Sequence, residues 1–141
     1  MTSKEEIKEE KEGDEHIFKL IVDGKIVCVA RTLPYSFLGD IRTTLGEEGK
    51  GYAKKLLAYL EKIAEKHNAK NMETTDIDPS NYRIVSLLKS MGYRFEPIEG
   101  DKHFIKATKE LDEPSETKEY LERKASIWID KNPALSYKYA E

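Results

Sequence analysis

The chain has 141 residues, of which 38% are hydrophobic and 36% charged, with a formal net charge of −3. That is enough sequence for one domain with its own core, and the charge gives no overall attraction for nucleic acid. No apolar run approaches the ~18 residues of a membrane span, and the charged beginning lacks the apolar stretch of a secretory leader.

Residues 1–15 hold seven acids and three lysines, with Ile7 the one apolar residue after Met1. A solvated, flexible tail is expected there. Residues 16–22 alternate and are rich in β formers, Asp23-Gly24 follows, and residues 26–31 alternate again. Two strands around Asp-Gly predict a hairpin. Residues 37–45 extend a third strand beyond the Pro34 turn. Ala53, Leu56, Leu57, Leu60, Ile63 and Ala64 then fall on one helical face, and that helix is expected to end near Asn68. Residues 72–77 read as a strand. Asp78-Pro79-Ser80 is a turn and helix-start signal. Ile84, Leu87, Leu88 and Met91 form the stripe of a second helix, with Gly92 placed as its C-terminal cap. Residues 93–95 and 103–108 read as short strands around Glu99-Gly100-Asp101. Strands and helices alternating about one sheet predict a layered α/β or α+β domain.

After the Asp112-Glu113-Pro114 break, residues 115–131 read as a helix with Leu121, Ala125 and Trp128 on one face, stopped by Asn132-Pro133. It covers the domain's own core in the simpler reading and makes a homodimer or partner contact in the other. The chain therefore divides into a tail (1–15), a domain (16–111) and a helical extension (112–141).

Chemistry concentrates in Glu48-Gly49-Lys50-Gly51-Tyr52-Ala53. Glycine costs a helix about 1 kcal/mol relative to alanine. It permits positive φ and lets a ligand approach the backbone. The first N–H groups of a helix lack internal partners, so a strand, a glycine loop and a helix start can cradle phosphate. A plain strand-to-helix turn uses the same residues. The nucleotide P-loop needs Lys then Ser/Thr after its last glycine, where Tyr52 stands, and the dinucleotide fingerprint needs Gly or Ala where Lys54 stands.

The stretch, followed by Lys54-Lys55-Leu56-Leu57, resembles the coenzyme A loop of the GNAT N-acetyltransferases, Arg/Gln-x-x-Gly-x-Gly/Ala with paired leucines after it. Asn81, followed by a helix ending in Gly92-Tyr93, resembles a second motif of that family. The two occur in order with a strand between them, and the resemblance spans residues 16–111. It implies a mixed, mostly antiparallel sheet flanked by helices. The two helices usual between the family's first strands are missing, so the chain resembles a reduced member.

The resemblance implies that acetyl-CoA is the cosubstrate and that no metal is needed. The amides of Gly49, Lys50, Gly51, Tyr52 and Ala53 would hold its pyrophosphate. Ile41, Arg42 and Thr43 would pair their backbone with the pantetheine arm, and Asn81 would hydrogen-bond the cofactor. An amine would attack the thioester directly, with a backbone N–H stabilising the oxyanion. An amine with a pKa near ~10.4 must lose a proton. Two positions depart from the pattern. Glu48 stands where the family has Arg or Gln, so its charge opposes the pyrophosphate, with Lys50, Lys54 and Lys55 as compensating cations. Leu88 stands where a tyrosine often protonates the thiolate.

Candidate bases are Asp40, Asp76, Asp78 and His103. Asp78 before Pro79 also serves a turn, Asp40 a strand end, and His103 a strand surface. Asp76, between the two motifs, has the best position and is the catalytic candidate. The three histidines and Cys28 lack metal-ligand spacing. The lone Cys28 excludes an internal disulfide, suits a core position, and points to a reducing, cytoplasmic setting. Abundant Lys and Glu with no Gln lean towards a heat-adapted host. The expected function is transfer of an acetyl group to an amine. The alternative is a module that binds coenzyme A or a partner without turnover. No nucleic-acid or membrane partner is expected.

Overall fold

Seven strands and two helices follow one another in the computed structural model, which describes residues 4–111. They are β1 (Glu5–Glu12), β2 (Glu15–Val22), β3 (Lys25–Leu33), β4 (Phe37–Thr43), α1 (Tyr52–Lys66), β5 (Asn71–Ile77), α2 (Tyr82–Ser90), β6 (Arg94–Pro97) and β7 (Ile105–Glu110). One sheet holds all seven strands in the order β1-β2-β3-β4-β5-β7-β6. Its neighbours are antiparallel except β4 and β5. The helix expected over residues 115–131 lies outside the described residues.

The acidic start of the chain differs from expectation. Residues 5–12, read as a solvated tail, form the edge strand β1, paired with β2 from Glu5↔Val22 to Glu12↔Glu15. Backbone pairing needs no apolar side chain, and only Ile7 joins the core. Glu9 Oε1 meets His16 Nδ1 at 2.6 Å, and Glu5 pairs with Lys55 of α1. A charged outer edge also discourages pairing with a further chain. β1 enters β2 through Gly13-Asp14 with no helix between them.

The Asp23-Gly24 hairpin forms as read, both residues at positive φ (50° and 82°). β2 and β3 point Phe18, Leu20, Val22, Cys28 and Ala30 into the core. The α1 stripe meets them with Leu56, Leu57, Leu60 and Ala64, and α2 contributes Leu88. Each of these buried leucines stabilises the fold by about 1.5–3 kcal/mol relative to exposure.

Both helices end on a residue in the left-handed region. Asn68 (φ 64°) follows α1, and Ala69 N–H reaches back to the Ala64 carbonyl at 3.0 Å. Gly92 (φ 88°) follows α2, and Tyr93 N–H reaches the Leu88 carbonyl at 3.0 Å. These six-to-one bonds satisfy carbonyls that the helices leave open.

β4 stops at Thr43, short of the expected residue 45, and Leu45 is 90% exposed. β4 and β5 pair only at Phe37↔Glu73, where Glu73 N–H donates to the Ser36 carbonyl at 2.8 Å. Both strands then become irregular. The β3–β4 register shifts beside Arg31, with Gly39 as the extra residue of β4, and the β5–β7 register shifts between Thr74 and Ile77. Bulges bend the strands that carry them. Beyond Phe37 the parallel pair opens into a V.

Candidate active site

Past Phe37, one edge of β4 has no strand beside it among the described residues. Thr44 N–H donates to the Val27 carbonyl at 2.9 Å, towards β3. Antiparallel ladders alternate every residue, so Arg42 also bonds towards β3, while the N–H and C=O of Ile41 and Thr43 face the open side. Of the three residues expected to lend their backbone to a ligand, two are therefore oriented for it.

The V is a cleft of about 400 Å³ between β4 and β5, closed at one end by Asn81 and Ile84 of α2. Asp40, Asp76 and Asp78 all line it. The Asp40 carboxylate is taken by Arg42 at 3.0 Å. Asp78 accepts from the Ser80 N–H (2.9 Å) and hydroxyl (2.8 Å), bonds that hold its carboxyl below the usual range. Asp76 makes no ion pair or side-chain hydrogen bond among the described residues. It also sits at φ 56°, in the β5 bulge. A non-glycine residue held there is strained by roughly 1–2 kcal/mol, and such outliers gather at functional sites. His103 does not line the cleft. Its backbone N–H donates to Asp101 Oδ1 at 2.8 Å.

Asn81 is the N-cap of α2, its Oδ1 accepting weakly from Ile84 N–H at 3.4 Å. The amide NH₂ is left for the cleft.

Thr43 follows Arg42 along β4 and opens a second cleft of about 460 Å³, walled by the glycine loop and the start of α1 on one side and by α2 on the other. Gly49 (φ 79°) and Gly51 (φ 81°) both use the left-handed region, and a Cβ built on either meets nothing within 4 Å. Glycine is needed here for backbone conformation. Gly51 is the N-cap of α1 and brings no side-chain cap, and no acid lies in the first turn. The opening amides of α1, at Tyr52, Ala53 and Lys54, thus stay available at the positive end of a 15-residue helix.

The charges of the loop are arranged differently from expectation. Lys50, expected in the cradle, points its ammonium at Glu47 at 2.7 Å and does not line the cleft. Lys25 takes the other Glu47 oxygen at 2.7 Å, and the two lysines hold that carboxyl down to about 2. Lys55 is engaged with Glu5. Of the three lysines expected to offset Glu48, only Lys54 lines the cleft. Glu48 folds back on its own loop, where Oε2 accepts from Gly46 N–H at 2.9 Å. Its own N–H, Gly46 N–H and Arg83 keep it ionised below the usual carboxylate range.

The α2 wall was missed in the sequence. Arg83, Ser86, Leu87 and Ser90 face the cleft. Their i, i+3, i+4, i+7 spacing is a helical stripe that periodicity alone could have shown. Leu88, at the family's tyrosine position, is fully buried. Tyr93 turns away to Glu61, and no tyrosine among the described residues lines the V. Cys28 is buried in the core, which pushes its thiol up. Among the described residues no group of His, Cys, Asp and Glu could hold a metal ion, and no helix is long and apolar enough to cross a membrane.

Solved structures share this fold at low sequence identity. A structure from Salmonella typhimurium determined with its cofactor acetyl-CoA is 17% identical, with TM-score 0.57 over 72% of this chain and 67% of that one. The PaiA N-acetyltransferase of Thermoplasma acidophilum, in complex with coenzyme A, is 17% identical, with TM-score 0.61 over 69% of this chain and 61% of that one. The ribosomal-protein-S18-alanine N-acetyltransferase of Escherichia coli is 18% identical, with TM-score 0.60 and 75% of each chain covered. No curated protein matches the sequence. The family model for the acetyltransferase (GNAT) family matches residues 2–93, taking in β1, the glycine loop and α2 up to Tyr93. With that match over most of its length, and a sheet opened between β4 and β5 beside a glycine cradle, the chain belongs to the GNAT acetyltransferase family.

Proposed function

We propose that the protein is an N-acetyltransferase that takes its acetyl group from acetyl-CoA and delivers it to an amine. The observation that carries the reading is the single β4–β5 pair at Phe37↔Glu73, which leaves the Ile41 and Thr43 backbone open directly before the glycine cradle. The cosubstrate supplies an acyl group activated as a thioester. The amides of Gly49, Gly51, Tyr52, Ala53 and Lys54 suit its pyrophosphate. Ile41 and Thr43 suit the amides of its pantetheine arm, and either N–H can donate to a carbonyl oxygen placed in the V. The Asn81 NH₂ is a further donor. Lys50 serves by tying Glu47 down.

Asp76 is the base of this reading. It lines the V, carries no competing partner among the described residues and is held in a strained conformation. Its carboxylate can take a proton from an ammonium substrate directly or through water. The buried single cysteine suits a reducing cytoplasm, and the Lys/Glu-rich composition suits a heat-adapted host.

The test is thiol release from acetyl-CoA over a panel of amines, peptides and protein N-termini, beside calorimetric binding of acetyl-CoA. Amine-dependent release that Asp76→Asn suppresses supports the enzyme. A second reading, binding without turnover, is favoured by Leu88 and by a V that no tyrosine among the described residues lines. Tight binding with no release on any amine would select it.

A further inference from the structure

Glu48 and Arg83 face each other across the cradle. Glu48 closes the glycine loop, and Arg83 stands in the first turn of α2 on the opposite wall. Arg83 Nη1 lies 3.4 Å from Glu48 Oε1. The other Glu48 oxygen is fixed by Gly46 N–H at 2.9 Å, so the carboxylate is stationed by the loop and the guanidinium is the mobile partner. Arg83 is 81% exposed at the side chain, so little but this pair restrains it. An exposed pair of this length is weak and easily exchanged. Phosphate offers the same guanidinium a more highly charged, bidentate partner.

Resting on the acetyl-CoA reading, we propose that Arg83 is the cradle's principal phosphate-binding side chain. Glu48 holds it at the mouth until a phosphate group of the cofactor takes it over. The loop position where Glu48 stands thus faces a cation on the opposite helix. The pairing of the other lysines argues for it. Lys50 is spent on Glu47 and Lys55 on Glu5, which leaves Lys54 and Arg83 as the cations lining the cleft among the described residues. Glu48 then keeps Arg83 from folding onto other carboxylates, and it costs the site only a partner exchange.

The test is titration calorimetry on the full chain with acetyl-CoA, its 3′-dephospho form and S-acetylpantetheine, at low and high salt. Arg83→Glu should weaken acetyl-CoA binding by about tenfold, and Arg83→Lys by less. The loss should shrink as salt rises and be absent for S-acetylpantetheine. A loss for acetyl-CoA alone places the guanidinium on the 3′-phosphate, and a loss for both nucleotide forms places it on the pyrophosphate. The exchanged pair Glu48→Arg/Arg83→Glu should recover most of the affinity, because either wall can then present the cation. Folding of each variant is checked by circular dichroism. If Arg83→Glu binds all three ligands like the wild type, or the exchanged pair binds no better than Arg83→Glu, the proposal is overturned and the acetyl-CoA reading stands. If the wild type binds acetyl-CoA no better than S-acetylpantetheine, the phosphate cradle itself is wrong, and the inference falls with it.

Discussion

The Tyr93 hydroxyl donates a 2.7 Å hydrogen bond to Glu61 Oε2, and both side chains are buried. Lys109 of β7 completes the group at 2.7 Å from the other oxygen. Tyr93 is the residue after the Gly92 turn, so one carboxylate on α1 fastens the exit of α2 and the last strand. Burial, and then the charge of Glu61, push the phenol up beyond its ordinary range. A raised phenol stabilises the fold fully below the unfolded value near ~10 and loses that contribution as pH climbs past it. Tyr93→Phe should cost about 1–3 kcal/mol in urea unfolding at neutral pH, because Glu61 loses a buried donor. Above about pH 10 the gap between variant and wild type should narrow. A gap that widens with pH would contradict this.

Removing residues 1–13 should be costly. β1 pairs along its whole length with β2, and its loss turns β2, with Ile17 and Ile21 7% and 8% exposed, into a sheet edge. The truncated chain should melt lower and self-associate in light scattering, as bare apolar edges do. A monomer melting like the full chain would mean that β1 adds nothing.

Glu47 should act as the clamp of the glycine loop. With Lys25 and Lys50 holding its carboxyl at about 2, against an ordinary ~4.3, its contribution is present above about pH 4.3 and fades as pH falls through about 2. Glu47→Gln should speed amide hydrogen exchange at residues 49–51 at neutral pH. The wild type should approach the variant's rates, corrected for intrinsic exchange, only near pH 2. Equal protection at neutral pH would dismiss the clamp.

Asp76 offers a trade between stability and activity. Asp76→Gly should relieve the positive φ and stabilise the fold by up to ~1 kcal/mol, and Asp76→Asn should keep the strain. Both should lower kcat by roughly 10²–10⁴-fold on whichever amine is turned over, with little change in acetyl-CoA binding. A fully active Asp76→Gly would remove Asp76 from the chemistry.

Most of the sheet was legible because its signals are local. Asp23-Gly24 dictates a hairpin turn, and the stripes from Leu56 to Ala64 and from Ile84 to Met91 have helical spacing and close on Asn68 and Gly92. β1 was not legible. An edge strand is held by its neighbour's backbone, so Glu5–Glu12 manages with the one apolar residue Ile7, where the inner strand β2 buries Ile17, Phe18, Leu20, Ile21 and Val22. The cradle's backbone could be read from its glycines, since positive φ leaves a mark on residue choice. Its charges could not. Whether Lys50 faces a ligand or Glu47, and whether Glu48 opposes phosphate or stations Arg83, depends on side chains distant in sequence.

The central claim is that the open edge of β4 and the cradle after it form one acetyl-CoA site. Chemical-shift mapping of the ¹⁵N-labelled protein during titration with acetyl-CoA tests it most directly. Saturable shifts should centre on Ile41, Thr43, Gly49, Gly51, Tyr52, Ala53 and Asn81, the residues on those two walls. They should vanish in Gly51→Val, which stays folded but cannot keep a φ of 81° without strain. Shifts confined to other strands, or no shifts at millimolar ligand, would contradict the account.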